Sequence, residues 1–363
     1  MSNLKTKVAI LGTNGLPAKY GGFETLTHHL VENLKDEFQF IVYCSKTKRN
    51  ERIQSFNKAE LVYFPFKANG WQSVIYDIVT MVHAWFTVDK LLILGSSGSI
   101  IFPLKVFFKK KIILNIGGID WGRSKWNFVI RKYIRFSEYL CVKFADVVIT
   151  DNRYIQKIYR ETYGVESELI EYGGDHVEYV EPSPEDLKEY PFLSDRYFMS
   201  VSRAQSDNNL HLLLSCFVDL PQLKLVLVSN WSTSEYGRDL WQKYHDHYSN
   251  IHLLPAIYDS KELDLIRSNS YVYIHTHTFC GTAPSLVEAM NLKLPTICFN
   301  AKTNVETTES RSVYFETSKE LKEAISSFDD GNLQLNAETM SEIALRRYTW
   351  EIIARKYANC IKN

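Results

Sequence analysis

The chain has 363 residues, 45% apolar and 23% charged, which suits buried cores and excludes long disorder. Lys plus Arg and Asp plus Glu balance at 42 each, so no nucleic-acid partner is expected. The six cysteines show no CxxC pair and no close His partner spacing, which argues against a zinc site and a disulfide framework and fits a reducing compartment.

The first residues, MSNLKTKVAIL, enter an apolar run without the pattern of an export signal. Short apolar runs then alternate with segments of helical length. Val8–Leu11, Phe40–Tyr43, Leu61–Phe64, Leu91–Leu94, Ile112–Ile116, Val147–Ile149 and Leu169–Tyr172 read as buried strands. Glu24–Leu34 and Trp126–Phe144 read as helices between them. The most apolar window, Val74–Leu94, is interrupted by Asp77, His83, Asp89 and Lys90, so no membrane span is expected and a cytoplasmic chain is. The stretch His176–Tyr197 is acidic and Pro-rich, a solvated connector. Alternation restarts with Tyr197–Val201, Leu223–Val228, Ile251–Leu254, Tyr271–His275, Thr296–Phe299 and Val313–Phe315. Helical patterns at Ala337–Arg347 and Trp350–Ile361 close the chain.

Strands that alternate with helices imply parallel sheets covered on both faces, here two doubly wound α/β domains. Their expected bounds are 1–180 and 181–345, with a C-terminal helix over 346–363 packing back toward the first domain. Charge is divided unevenly. Residues 1–175 hold 24 Lys and Arg against 17 Asp and Glu, and the remainder 18 against 25. One half approaching an anionic surface and simple drift of charge both fit.

In open α/β sheets ligands bind at loops after the strands, which shortens the search. The first such loop, Gly12–Glu24, is glycine-rich and leads into a helix near Gly22. Gly21 and Gly22 let backbone N–H groups approach an anion, or they merely make a tight turn. The loop is not G-x-G-x-x-G and no acidic residue closes the second strand, which counts against a dinucleotide site. A second loop, Asn115–Trp126, sets Asp120, Trp121 and Arg123 in one polar turn suited to sugar recognition. The alternative is a helix start capped by Ser124. In the third, Val201–Asn209, Arg203 follows a strand end where its fork can pair with phosphate oxygens, unless it is a plain surface arginine. In the fourth, His275–Met290, a strand turns into a helix near Ala283. N–H groups around Gly281, Thr282, Ser285 and Leu286 form a phosphate cradle, and Glu288 lies one turn on, within reach of a ribose diol; an ordinary helix N-terminus is the alternative. His275 and His277 alternate on a strand pattern, so they are expected to face opposite ways and not to share a metal.

The motifs GTNGLPAKYGGFET, IGGIDWGRSKW and GTAPSLVEAM resemble glycosyltransferase family 4, in particular the bacterial rhamnosyltransferase-like branch of capsule and O-antigen assembly. The resemblance spans nearly the whole chain. It implies a GT-B fold, two Rossmann-like domains facing a central cleft, and a retaining, metal-independent hexosyl transfer with no cofactor. It also implies a nucleotide diphosphate sugar donor, dTDP-L-rhamnose, and a lipid-linked glycan acceptor. Peripheral contact at the inner membrane face is expected from Lys105, Phe107, Phe108, Lys109, Lys110 and Lys111, with Arg131, Lys132 and Arg135 on a nearby helix pattern; the alternative is that Phe107 and Phe108 pack in the core and the lysines are a solvated strand entry. By motif position Arg203 matches the basic residue on the donor diphosphate, and Glu288 matches the second Glu of an E-x7-E pattern, expected on the ribose. The first Glu of that pattern falls on Cys280 and the second phosphate-binding Lys on Asn208. Arg203, Glu288 and Asp120 are the expected catalytic residues. Gly21, Gly22, Asn208, Gly281, Thr282, Ser285 and Leu286 complete the donor site, and Asp120, Trp121 and Arg123 the acceptor site. A different nucleotide-sugar donor and a catalytically silent GT-B protein are the alternatives.

Overall fold

A computed structural model describes residues 5–18, 21–118 and 128–363. The chain forms two compact units, Met1–Glu171 with Trp350–Asn363, and Tyr172–Thr349.

The first unit is built on the strands β1 (Lys7–Leu11), β2 (Gln39–Cys44), β3 (Ser55–Phe56), β4 (Ala59–Tyr63), β5 (Lys90–Leu94), β6 (Lys111–Asn115), β7 (Val147–Thr150) and β8 (Glu168–Leu169). They form one sheet in the order β3-β4-β2-β1-β5-β6-β7-β8, parallel except for the β3–β4 pair. Apolar side chains fill both faces of the central strands, as in KVAIL and KLLIL, because helices cover each side. The order reverses between β1 and β5, and glycine allows the loops to meet there. A Cβ on Gly12, whose φ is +83°, would come 2.0 Å from the carbonyl oxygen of Leu94.

The last helix, Trp350–Lys362, belongs to this unit. Trp350 stacks on His29 at 4.4 Å, and Asn115 donates to the Tyr357 hydroxyl at 2.5 Å. Lys111 donates to the carbonyl of Cys360 at 2.8 Å and Lys90 to that of Ile361, two cations on the negative end of the helix.

The second unit is a six-stranded parallel sheet of β9 (Tyr197–Val201), β10 (Lys224–Val228), β11 (Ile251–Leu254), β12 (Val272–His275), β13 (Thr296–Phe299) and β14 (Val313–Phe315), in the order β11-β10-β9-β12-β13-β14. Its main core joins Leu213, Phe217, Leu225, Ile274 and Phe315. Here the reversal falls between β9 and β12, so the loops after those two strands emerge side by side.

The boundary sits at 171/172, earlier than the residue 180 read from sequence. Hydrogen bonding explains it. Gly174 donates to the carbonyl of Tyr348 at 2.8 Å, Glu178 to Asp264 at 3.2 Å and Val180 to Ser268 at 3.2 Å, all within the second unit. The connector is also less irregular than its composition implies. Ser183 and Asp186 form a capping box on a short helix, Pro184–Glu189.

One buried acid makes the first unit sensitive to pH. Asp77, in the helix Gln72–Thr87, accepts a hydrogen bond from Ser97, yet burial pushes its carboxyl up to about 7. A folded pKa above the unfolded value stabilises below about pH 4, and that contribution fades as pH rises through 7. Asp77→Asn should therefore raise stability most above pH 7. The gain should shrink toward pH 4, by up to about 1.4 kcal/mol per pH unit, in urea melts run across that range. A gain independent of pH would contradict the assignment.

Candidate active site at the strand reversal of the second unit

The loop after β9 is held from both sides. The carbonyl of Arg203 accepts from the Asn208 side chain at 2.8 Å, from the N–H of Gln205 at 2.8 Å and from the Ser202 hydroxyl at 3.2 Å. Ala204 donates to Asn230 at 3.0 Å and accepts from Ser234. With its backbone so fixed, Arg203 extends an exposed guanidinium that has no ion-pair partner among the described residues. A cation on a preorganised stem binds an anion with little reordering. Asn208, read from sequence as a donor contact, is buried and spends its amide on Arg203; it acts through that residue.

The loop after β12 is stitched to the first. Asn209 donates to the carbonyl of Thr276 at 3.1 Å and to the Thr278 hydroxyl at 2.7 Å, and Thr278 donates to Asp207 at 3.1 Å. The helix Pro284–Asn291 begins here with Pro at its first position and no side-chain cap. The N–H groups of Leu286 and Val287 bond the carbonyl of Ala283 at 3.0 and 3.2 Å, so Leu286 offers no donor, contrary to the sequence reading. Its side chain is core, and Gly281 and Thr282 are buried as well. Ala283 is buried too, so the cradle narrows to the N–H of Ser285, whose neighbour Pro284 has none.

Glu288 is not an open surface carboxylate. One oxygen lies 2.8 Å from Arg267 and the other 3.6 Å from His176. Arg267 in turn meets Asp264 at 3.4 Å, and its side chain is only 3% exposed. His176 reaches Glu288 because the connector passes close by: a Cβ on Gly174 would come 2.6 Å from the backbone of Val287. Arg267 and His176 were not singled out from sequence. Arg267 stands in the last turn of a helix, where an arginine ordinarily faces solvent; its apolar neighbours Leu265 and Ile266 were the available signal.

The two histidines also differ from expectation. β12 ends at His275, so strand alternation does not extend to His277, and the ring centroids lie 4.4 Å apart. Burial lowers His275 to about 3, which keeps it neutral.

Thus Arg203, Asn208, Gly281, Thr282, Ser285, Leu286 and Glu288 share the reversal of the second sheet. Gly21 and Gly22 lie in the first unit, after β1. There Glu24 accepts from the N–H and the side chain of Asn14 at 2.9 and 2.6 Å, and Gly21 has a φ of +109°. Asp120, Trp121 and Arg123 lie outside the described residues.

Residues 5–175 match the family model described as Domain of unknown function (DUF1972), and residues 183–344 match that of Glycosyl transferases group 1. No curated protein matches the chain. The structure is similar to a sucrose-phosphate synthase (tll1590) from Thermosynechococcus elongatus, with a TM-score of 0.83 at 16% identity, covering 99% of this chain and 98% of that one. It is similar to Anabaena Alr3699/HepE in complex with UDP and glucose, with a TM-score of 0.78 at 15% identity, covering 99% and 100%. A putative UDP-N-acetylglucosamine 2-epimerase from Listeria monocytogenes gives a TM-score of 0.63 at 13% identity, covering 99% and 96%. The fold is GT-B, with the group 1 glycosyl transferase match confined to residues 183–344.

The two arginines should separate under mutation. Arg267→Met leaves Glu288 and Asp264 buried without their cation and should cost about 3–5 kcal/mol in urea unfolding. Arg203→Ala removes an exposed group and should stay within about 0.5 kcal/mol. Equal losses would contradict the division between a structural and a ligand-facing arginine.

Proposed function

We propose that the chain is a retaining glycosyltransferase that moves L-rhamnose from dTDP-L-rhamnose to a lipid-linked oligosaccharide during cell-surface polysaccharide synthesis. The group 1 match over residues 183–344 supports transfer from a nucleotide sugar. The carrying observation is Arg203, exposed and uncommitted on a clamped loop beside the N-terminus of the helix Pro284–Asn291. The rhamnose donor and the lipid-linked acceptor rest on the motif resemblance.

In this reading the diphosphate lies against the Arg203 fork, the N–H of Ser285 and the positive end of the helix. As the bond from the anomeric carbon to the diphosphate oxygen breaks, charge grows on that oxygen, and these fixed donors stabilise it. The acceptor hydroxyl attacks from the leaving-group face. Its oxygen bonds the anomeric carbon, and its proton passes to the departing phosphate oxygen. No step calls for a metal. Glu288, oriented by Arg267 and His176, retains lone pairs for the ribose hydroxyls. Asp120 is proposed to orient the acceptor hydroxyl.

A 6-deoxy sugar calls for an apolar wall beside the phosphate site, and Phe279, partly exposed in the loop after β12, can supply one. Such a wall rejects an added hydroxyl only about a hundredfold, so other dTDP-hexoses should leak through. A panel of nucleotide sugars tests this by donor hydrolysis. The expected order is dTDP-L-rhamnose, then other dTDP-sugars, then UDP-glucose. Arg203→Ala should lose about ten- to hundredfold on every donor. Preference for a UDP-hexose would remove the rhamnose assignment, and an unimpaired Arg203→Ala would misplace the phosphate site.

The acceptor class calls for a membrane surface, and the first unit offers one. No helix among the described residues is long and apolar enough to cross a membrane. Phe107 is 78% exposed, and Val106, Phe128 and Val129 are exposed as well, while Phe108 is half-buried and stacks on Trp85. Lys109, Lys110, Arg131 and Lys132 lie in the same segments. Apolar tips ringed by cations suit an anionic leaflet, at about 1 kcal/mol per basic residue. The chain should float with anionic vesicles at low salt, and Phe107→Ser with Phe128→Ser should abolish this. Flotation indifferent to charge and to both substitutions would discard the surface.

A further inference from the structure

We propose that His275, His277 and Cys280 form a binding site for a zinc-class divalent cation. The cluster lies in the loop after β12, beside the proposed phosphate site, and the transfer reading itself needs no ion. One ligand atom from each residue falls within 4.8 Å of the others. The independent sign of a ligand is His275: its Nε2 is fully buried with no hydrogen-bond partner among the described residues. A neutral imidazole nitrogen of this kind is a ready metal ligand.

Neighbouring groups prepare the second imidazole. The Nε2 of His277 lies 2.8 Å from the Ser202 hydroxyl oxygen. That hydroxyl donates its own proton to the carbonyl of Arg203 at 3.2 Å, so its oxygen is left to accept. In the proposed site His277 donates from Nε2 to that oxygen and offers Nδ1 to the ion. A backbone-anchored partner that fixes the tautomer of a ligating histidine is the usual outer support of a metal site. The third group, Cys280, is half-buried, and its Sγ lies a loose 3.7 Å from the Oδ1 of Asn304. Coordination transfers the thiol proton to solvent and replaces that weak contact with a metal–sulfur bond.

Donor chemistry selects the ion. Two imidazoles and a thiolate suit zinc, cobalt or copper, whereas magnesium and calcium require oxygen. Tetrahedral zinc would set the donors about 3.3–3.6 Å apart, a contraction of about 1 Å from the widest spacing the cluster allows. Cys280 lies in a loop, after the end of β12 and before the helix. Three protein ligands leave a fourth position for water.

Cobalt reports thiolate ligation directly. The untagged full chain, stripped with chelator and titrated with Co2+ without oxygen, should bind one equivalent with a near-ultraviolet thiolate charge-transfer band. Zn2+ should displace that band and Mg2+ should not. The other cysteines are buried, so the band should trace to Cys280 and vanish in Cys280→Ser. His277→Asn should weaken binding by about tenfold or more. His275 is not replaced, because it is part of the interior; circular dichroism of the two variants checks that they fold. No band in the wild type, or a band that survives Cys280→Ser, would overturn the proposal.

Discussion

The second unit's site depends on Asn209. Its amide donates to the carbonyl of Thr276 and the hydroxyl of Thr278, and so ties the loop after β9 to the loop after β12. The residue itself sits in the left-handed region, with φ +53°, where asparagine is tolerated better than bulkier residues. Untied, two loops leaving adjacent strands at a sheet reversal would carry Arg203 and Ser285 on separate, mobile stems. Tied, they hold a cation and a helix N-terminus in register before any ligand arrives.

Beside this polar seam lies a buried ionic one. Arg267 stands between Asp264 and Glu288, with His176 on the far oxygen of Glu288. Burying such charges is costly unless each is met, and breaking one pair strands the other. The arrangement fixes the rotamer of Glu288, which an exposed glutamate would not have. It also draws residues 172–180 onto the second unit, since the histidine belongs to that stretch. Fold and site are thus joined at two residues: Gly174 permits the close approach, and His176 uses it.

Most of the architecture was legible in the sequence because it rests on local pattern. The apolar runs KVAIL, KLLIL and KLVLV are strands, and their alternation with helices implied parallel sheets. The loops that follow β9 and β12 were found for the same reason. What escaped was set by long-range partners. The connector's hydrogen bonds to Asp264 and Ser268 cannot be read from its own composition. The alternation rule failed at His277 because β12 stops at His275. Leu286 was taken for a donor, but its N–H closes the first turn of its own helix. The donor-facing reading of Asn208 assumed an open side chain, and the fold instead spends it on Arg203.

The central claim is that the reversal of the second sheet is a diphosphate site. A crystal structure of the chain with dTDP tests it most directly. The account predicts the diphosphate within hydrogen-bond distance of the Arg203 guanidinium and of the N–H of Ser285, with the ribose toward Glu288. A nucleotide seated away from the loops after β9 and β12, with Arg203 still in solvent, would contradict it.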